Sequence, residues 1–231
     1  MKLSIIVLLF SLVLAASCNN QASPVSRHLT VKETFNWDSL KIDSSLITSI
    51  REQTDSTLTP FPANLEKILD KDIDTDVNRK NYPGLIFNAP NASSDGILTN
   101  LYDNFQKRGY TIFVLDESFG IQKKPDVIGV LKTVDKYAIL RQVQTDGINA
   151  GIDNDSLLKV IKIFDDKYLL QLIGASVDWC EFKITREPED WLVLAKEAYK
   201  VCPDIVEQGT GSVEKLAEEM KRTRRLYFWW D

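Results

Sequence analysis

The sequence predicts an α+β fold. Three observations predict it. Segments with apolar residues at helical spacing alternate with short runs in which every second residue is apolar, the period of a half-buried strand. Ten Phe, seven Tyr and five Trp in 231 residues exclude a chain that is disordered throughout. Two adjacent tryptophans, Trp229 and Trp230, stand at the carboxy terminus, where a free tail would leave large apolar surface in water.

The elements follow in order. Ile97, Leu98, Leu101, Tyr102 and Phe105 recur at helical spacing up to Gly109, and strands are expected at Tyr110–Leu115 and Val127–Leu131. Then come strand Tyr137–Val143, helix Ser156–Asp166, strand Leu169–Ala175, strand Trp179–Ile184, helix Glu189–Val201, helix Val213–Arg222 and strand Leu226–Trp230. Without the extra helix this reads β-α-β-β-α-β, a ferredoxin-like core. Asp153 and Ser212 are placed to cap the helices that follow them, and Pro188, Glu189 and Asp190 suit a helix amino terminus. Pro203 closes the helix before it.

The amino-terminal region is less regular. Strands are expected at Leu29–Phe35 and Leu40–Ile42, a helix at 65–69, and turns at Tyr82-Pro83-Gly84 and Ala89-Pro90-Asn91. The expected division is 1–17 signal segment, 18–28 anchor and tether, 29–92 small accessory α/β region, and 93–231 an α+β domain.

Lys2 followed by an apolar run from Leu3 to Leu14 has the length of a signal-peptide core and is too short to span a bilayer of ~30 Å. The small residues Ala15, Ala16 and Ser17 before Cys18 look like the cleavage box of bacterial lipoproteins. Cys18 is then the lipidated first residue of the mature chain, and the protein is held to a membrane surface by acyl chains. Asn19 in place of Asp implies an outer-membrane address. The competing expectation is an ordinary secretory signal with a chance cysteine.

The composition excludes several functions. A net charge of -5 argues against nucleic acid as a partner. The basic run Lys221-Arg222-Thr223-Arg224-Arg225 reads as a solvated helix end that complements the helix dipole. The single histidine, His28, leaves histidine-based catalysis and His-rich zinc sites without support. Asp70 to Asp76 alternates carboxylates, but Thr75 and Asn81 stand where a calcium loop needs Gly and Glu, so a solvated acidic turn is expected. No cofactor and no metal site is expected.

The candidate binding or polar cluster comprises Asp146, Asn149, Asp178, Trp179, Glu181, Asp204, Gln208 and Trp229. Asp146 and Asn149 lie in a loop, where binding residues concentrate. Trp179 and Glu181 share a strand face opposite Cys180, Phe182 and Ile184, and either form a ligand surface or are covered by the first ninety residues. Asp204, Glu207 and Gln208 follow a helix end. Exported proteins permit disulfides, and a Cys180–Cys202 bridge is geometrically allowed; burial as free thiols is the competing expectation.

Several short motifs together carry a resemblance. They are Thr145-Asp146-Gly147 with Asn149, Ile173-Gly174-Ala175 with Asp178, Ala195-Lys196-Glu197-Ala198-Tyr199, Cys202-Pro203-Asp204, Gln208-Gly209-Thr210-Gly211 and Trp229-Trp230-Asp231. From about Ile97 to Asp231 the sequence resembles domain-of-unknown-function family 4253. The resemblance implies no activity, substrate or cofactor. Ala150 stands where the resemblance leads one to expect an aromatic residue. Three functions stay open: a non-catalytic binding or interaction domain with an envelope protein partner, a hydrolase or transferase using Asp146, Asp178, Asp204 and Glu207, and a toxin-neutralising immunity protein.

Overall fold

The computed structural model describes residues 41–63, 65, 82–90, 93–118 and 124–230, all within one compact unit, Val31–Asp231. The signal segment, Cys18, His28, the strand at 29–35, most of the helix at 65–69 and the acidic run 70–76 lie outside the described residues.

The elements are α1 (Ser44–Arg51), β1 (Thr59–Pro60), β2 (Gly84–Asn88), α2 (Ser94–Lys107), β3 (Thr111–Asp116), β4 (Val127–Leu131), α3 (Lys136–Val143), α4 (Asn154–Tyr168), β5 (Leu170–Ala175), β6 (Trp179–Ile184), α5 (Trp191–Val201), α6 (Val213–Thr223) and β7 (Arg225–Trp229). A 3₁₀ turn at Ile148–Ala150 precedes α4, and a π-helical segment, Ile205–Thr210, joins α5 to α6. The strands form one seven-stranded sheet in the order β1-β2-β4-β3-β5-β6-β7. β3 and β5 are parallel and the other pairs antiparallel. Among the described residues no helix is long and apolar enough to cross a membrane.

The sheet separates two cores. On one face Phe113, Leu172, Phe182 and Phe228 meet α3, α4, α5 and α6 through Leu140, Ile161, Leu194 and Leu216. On the other, Leu85, Ile112 and Ile128 meet α1 and α2 through Leu46, Ile50, Leu101 and Phe105. Fully burying a side chain of this size is worth about 1.5–3 kcal/mol. The second core joins Ile42, Leu46, Ile50, Leu58, Leu85, Phe87 and Ala89 to α2, β3, β4 and Trp179. The expected boundary near residue 92 therefore falls inside a single core and a single sheet.

Two expected strands are not strands. Tyr137–Val143 is helix α3. Asp135 caps it by accepting from the Tyr137 N–H, and Ala, Leu, Arg and Gln favour helix within it. Asp165 of α4 fastens the start of α3, accepting from Lys136 Nζ and the Tyr137 hydroxyl at 2.7 Å each and from the Leu170 N–H at 2.8 Å. Burial alone would raise the Asp165 carboxyl, but these donors outweigh it and hold it low. The parallel partner of β5 is instead β3, its direct neighbour, so the split order of a ferredoxin-like core is not the one found. Near Leu40–Ile42, Lys41 takes a left-handed turn conformation at φ 53° and Ile42 is buried without strand pairing. Helix α1 has no counterpart in the sequence expectations.

The expected caps form. Asp153 accepts from the Ser156 N–H at 2.7 Å, Ser212 from the Lys215 N–H at 3.3 Å, and Asp190 from the Leu192 N–H at 2.7 Å. Two of the glycines fixed by close approach lie under indole rings. A Cβ on Gly174 would lie 2.4 Å from the Trp179 ring, and one on Gly147 would lie 2.7 Å from the Trp230 indole. The Gly147→Ala substitution is expected to lower unfolding stability by about 2 kcal/mol through this overlap, measured by urea denaturation; an unchanged midpoint would show that the indole moves freely.

Candidate functional site

The second face of the sheet runs out of cover at its β7 edge. α1 and α2 stand over the central strands, and no described helix covers β7 on that side. Alternation sends Arg225, Tyr227 and Trp229 to this face, while Leu226, Phe228 and Trp230 enter the helix-covered core. In β6 the same rule sends Trp179 and Glu181 there. Between these strands, the π-helical segment and α6 lies a cavity of about 370 Å³. Its wall includes Glu117, Glu181, Arg225, Tyr227 and Trp229 on the sheet side and Ile205, Gly209, Thr210, Leu216, Glu219 and Met220 on the helical side.

Charge in the cavity is organised by Arg225. One of its terminal nitrogens donates to both Glu181 oxygens, at 3.1 and 3.2 Å, and the other donates to Asp95 at 2.7 Å. The Glu181 side chain is only 14% exposed, so this pair escapes much of the solvent screening that weakens surface pairs. Burial raises the Glu181 carboxyl, and Arg225 opposes that rise. Glu117 follows β3 and has no such partner. Among the described residues none donates a hydrogen bond to it, and Glu181, Asp126 and Asp95 surround it. Desolvation first, and then these carboxylates, push its carboxyl from 4.5 up to about 7, with Arg225 acting weakly against them. The half-buried Tyr227 hydroxyl is raised well above its ordinary value by desolvation and by Glu117 and Glu181.

Asp126 braces this corner. It accepts from the Ser118 N–H and hydroxyl at 2.9 and 3.1 Å and from the Ser94 hydroxyl at 2.6 Å, tying α2 to the ends of β3 and β4. The Tyr227 ring stacks on Trp179 at 5.9 Å. The chemistry on offer is a half-protonated carboxyl near neutral pH beside one that is hydrogen-bonded to Arg225, set between aromatic rings.

The structure distributes the sequence candidates unevenly. Glu181 and Trp229 line the cavity. Trp179 is 3% exposed and belongs to the second core, its ring lying against Gly174 and Tyr227. Asp146 and Asp178 are neighbours at the loop ends: the Asp146 N–H donates to the Val177 carbonyl, and the Asp178 carbonyl accepts from the Trp230 N–H. Desolvation, with Asp153 and Asp178 adding, raises the Asp146 carboxyl. Asn149 is exposed on the 3₁₀ turn, and Asp204 and Gln208 belong to the turn around the π-helical segment. Glu207 accepts from the Tyr199 hydroxyl at 3.0 Å. None of Asp146, Asp178, Asp204 and Glu207 lines the cavity. Cys180 and Cys202 are buried free thiols, and Cys202 Sγ donates to the Trp229 carbonyl at 2.8 Å. Among the described residues no group of His, Cys, Asp and Glu is placed to hold a metal ion.

Glu117, Arg225 and Tyr227 were absent from the sequence candidates. Alternation back from Trp229 reaches Arg225, but the residue reads as part of a basic helix end. In fact Lys221 and Arg222 end α6, Arg224 lies over the Trp191 ring and pairs with Glu187 at 3.1 Å, and Arg225 begins the strand. Glu117 carries no sequence signal, because a contact between the end of β3 and β6–β7 follows from the sheet order alone.

Raising the Glu117 carboxyl means that the folded state binds a proton more tightly than the unfolded chain. Stability is therefore full below 4.5 and falls as pH rises from 4.5 to about 7. Glu117→Gln removes that loss. It is expected to stabilise the protein by about 1–2 kcal/mol at pH 8, after allowance for solvent screening, and to change little at pH 4. Urea midpoints at the two pH values check this; equal effects at both would mean the carboxyl is not perturbed.

Residues 127–231 match the family model described as Domain of unknown function (DUF4253). The match begins at β4, later than the Ile97 from which the resemblance extends. No curated protein and no solved structure matches the chain. Several of the motif residues shape the fold within this segment: Gly147 seats Trp230, Gly174 lies against Trp179, the Thr145 hydroxyl donates to the Ser176 carbonyl at 2.6 Å, and Cys202 holds β7. Gly209 and Thr210 of the same motifs reach the cavity. These residues fall in the carboxy-terminal part of the chain, residues 127–231, which is similar to the family described as Domain of unknown function (DUF4253).

Proposed function

We propose that the chain is a non-catalytic binding domain whose ligand site is the cavity beside β7, displayed at the cell envelope on a lipid anchor. One observation carries the binding reading: the about 370 Å³ cavity combines half-buried carboxylates with aromatic and aliphatic walls, the mixture of a few placed polar groups on apolar surface that small-molecule sites use. Gly209 supports it. Its φ is not in the left-handed region, and a Cβ there would meet only the Asp204 carbonyl, at an ordinary 3.6 Å. The backbone does not require glycine at 209, and glycine keeps that wall of the cavity open. The π-helical geometry around it is of the kind often found at functional sites.

The anchor rests on the sequence alone, on the apolar run Leu3–Leu14 and the small residues before Cys18. Growth with a labelled fatty acid is expected to label the protein, and Cys18→Ser to abolish the label; label retained in the variant would exclude the anchor. For the site, a fragment mixture of mixed charge is expected to shift the NMR signals of the Gly209 amide and the Trp229 indole. Gly209→Val is expected to remove those shifts while leaving unfolding within about 1 kcal/mol of the parent, since glycine is itself a poor helix residue. Shifts that persist in the variant would move the site elsewhere.

A further inference from the structure

We propose that the cavity beside β7 takes a small organic cation, an ammonium group on an apolar body, with the ammonium at Glu117 and Glu181 and the body against Tyr227, Trp229, Leu216 and Met220. This rests on the binding reading above and names its ligand class.

Charge complementarity is the first argument. Among the described residues three carboxylates line the cavity, those of Glu117, Glu181 and Glu219, against the single guanidinium of Arg225. Arg225 is already committed to Glu181 and to Asp95. Asp95 and Asp126 add negative potential behind the wall. An anionic ligand would meet like charge, and a neutral one would leave Glu117 uncompensated.

Glu117 supplies the second argument. It is the one carboxylate of this group with neither a donor nor a cation of its own among the described residues, and it lines the cavity. Burial makes an uncompensated carboxylate costly, and an arriving ammonium removes that cost. The walls supply the third. Trp229 and Tyr227 offer aromatic surface, which attracts cations by its quadrupole, and Leu216, Met220 and Ile205 offer hydrocarbon contact. A volume of about 370 Å³ is at the small end of ligand sites, which commits the site to a small molecule rather than a polymer.

Proton linkage follows. The groups facing Glu117 among the described residues are Asp95 from α2, Asp126 before β4, Glu181 from β6, and Arg225 and Tyr227 from β7. With Glu117 at about 7 in the empty site, an ammonium binds only the ionised form, so binding releases a proton below neutrality. Affinity for a permanently protonated amine therefore rises with pH, by about tenfold between pH 6 and pH 8.

The test is isothermal titration with phenethylamine, its anionic counterpart phenylacetate and neutral benzyl alcohol, at pH 6 and pH 8. The expected result is binding of phenethylamine, favoured about tenfold at pH 8 and weakened about tenfold there by Glu117→Gln, with the pH dependence lost in that variant. Phenylacetate is expected not to bind. The wild-type pH dependence is a second measurement that does not depend on any variant. Preference for phenylacetate or benzyl alcohol over phenethylamine would overturn the cation inference and leave the binding site standing. Failure of all three probes, together with failure of the fragment mixture to shift Trp229, would overturn both.

Discussion

Each strand presents two rows of side chains, and each row needs either an apolar cover or polar partners. Through the middle of the sheet both rows are covered, by α3 to α6 on one face and by α1 and α2 on the other. Toward β7 the second row has no described helix above it. The chain meets this in three ways: Trp179 leans inward under the second core, Glu181 takes Arg225 as its partner, and Trp229 remains half-buried at the margin. The cavity is what remains between these solutions and the flank of α6.

Arg225 binds that margin together. Asp95, in the first turn of α2, also favours the positive end of its own helix dipole. The guanidinium thereby links a helix of the second core to the last two strands. The local excess of carboxylates then falls on Glu117. Holding that group where it is disfavoured lowers the stability of the empty protein, a frequent property of sites shaped for something other than folding.

Much of the carboxy-terminal fold is legible in the residues. Helices α4, α5 and α6 and strands β5, β6 and β7 lie within a few residues of where periodicity and capping residues place them. The exception is instructive. Tyr137 to Val143 alternates loosely enough to pass for a strand, and a side-chain knot on Asp165, invisible in local sequence, fixes it as a helix. The site is less legible than the fold. Glu181 and Trp229 follow from alternation, but their companions depend on which strands are neighbours and in what register. Glu181 stands opposite Tyr227, and Lys183 opposite Arg225. Local pattern does not encode that pairing. The motif residues mislead for a related reason, because a glycine under an indole and a thiol on a carbonyl resemble a catalytic loop until their neighbours are placed.

β5 carries a bulge between Leu172 and Gly174. Leu170 and Leu172 face the helix-covered core, Ile173 packs toward the second core, and the next residue, Gly174, lies under Trp179. Two successive positions thus point the same way, and Ala175 returns to the first core. The extra residue acts as a parity switch. It reverses the odd-even assignment of faces for everything between it and the turn that leads into β6. What this stretch encodes is therefore a residue count as much as a set of residue types. Substitutions before and after the bulge are judged by opposite rules, and a gain or loss of one residue exchanges the inside of the molecule for the outside.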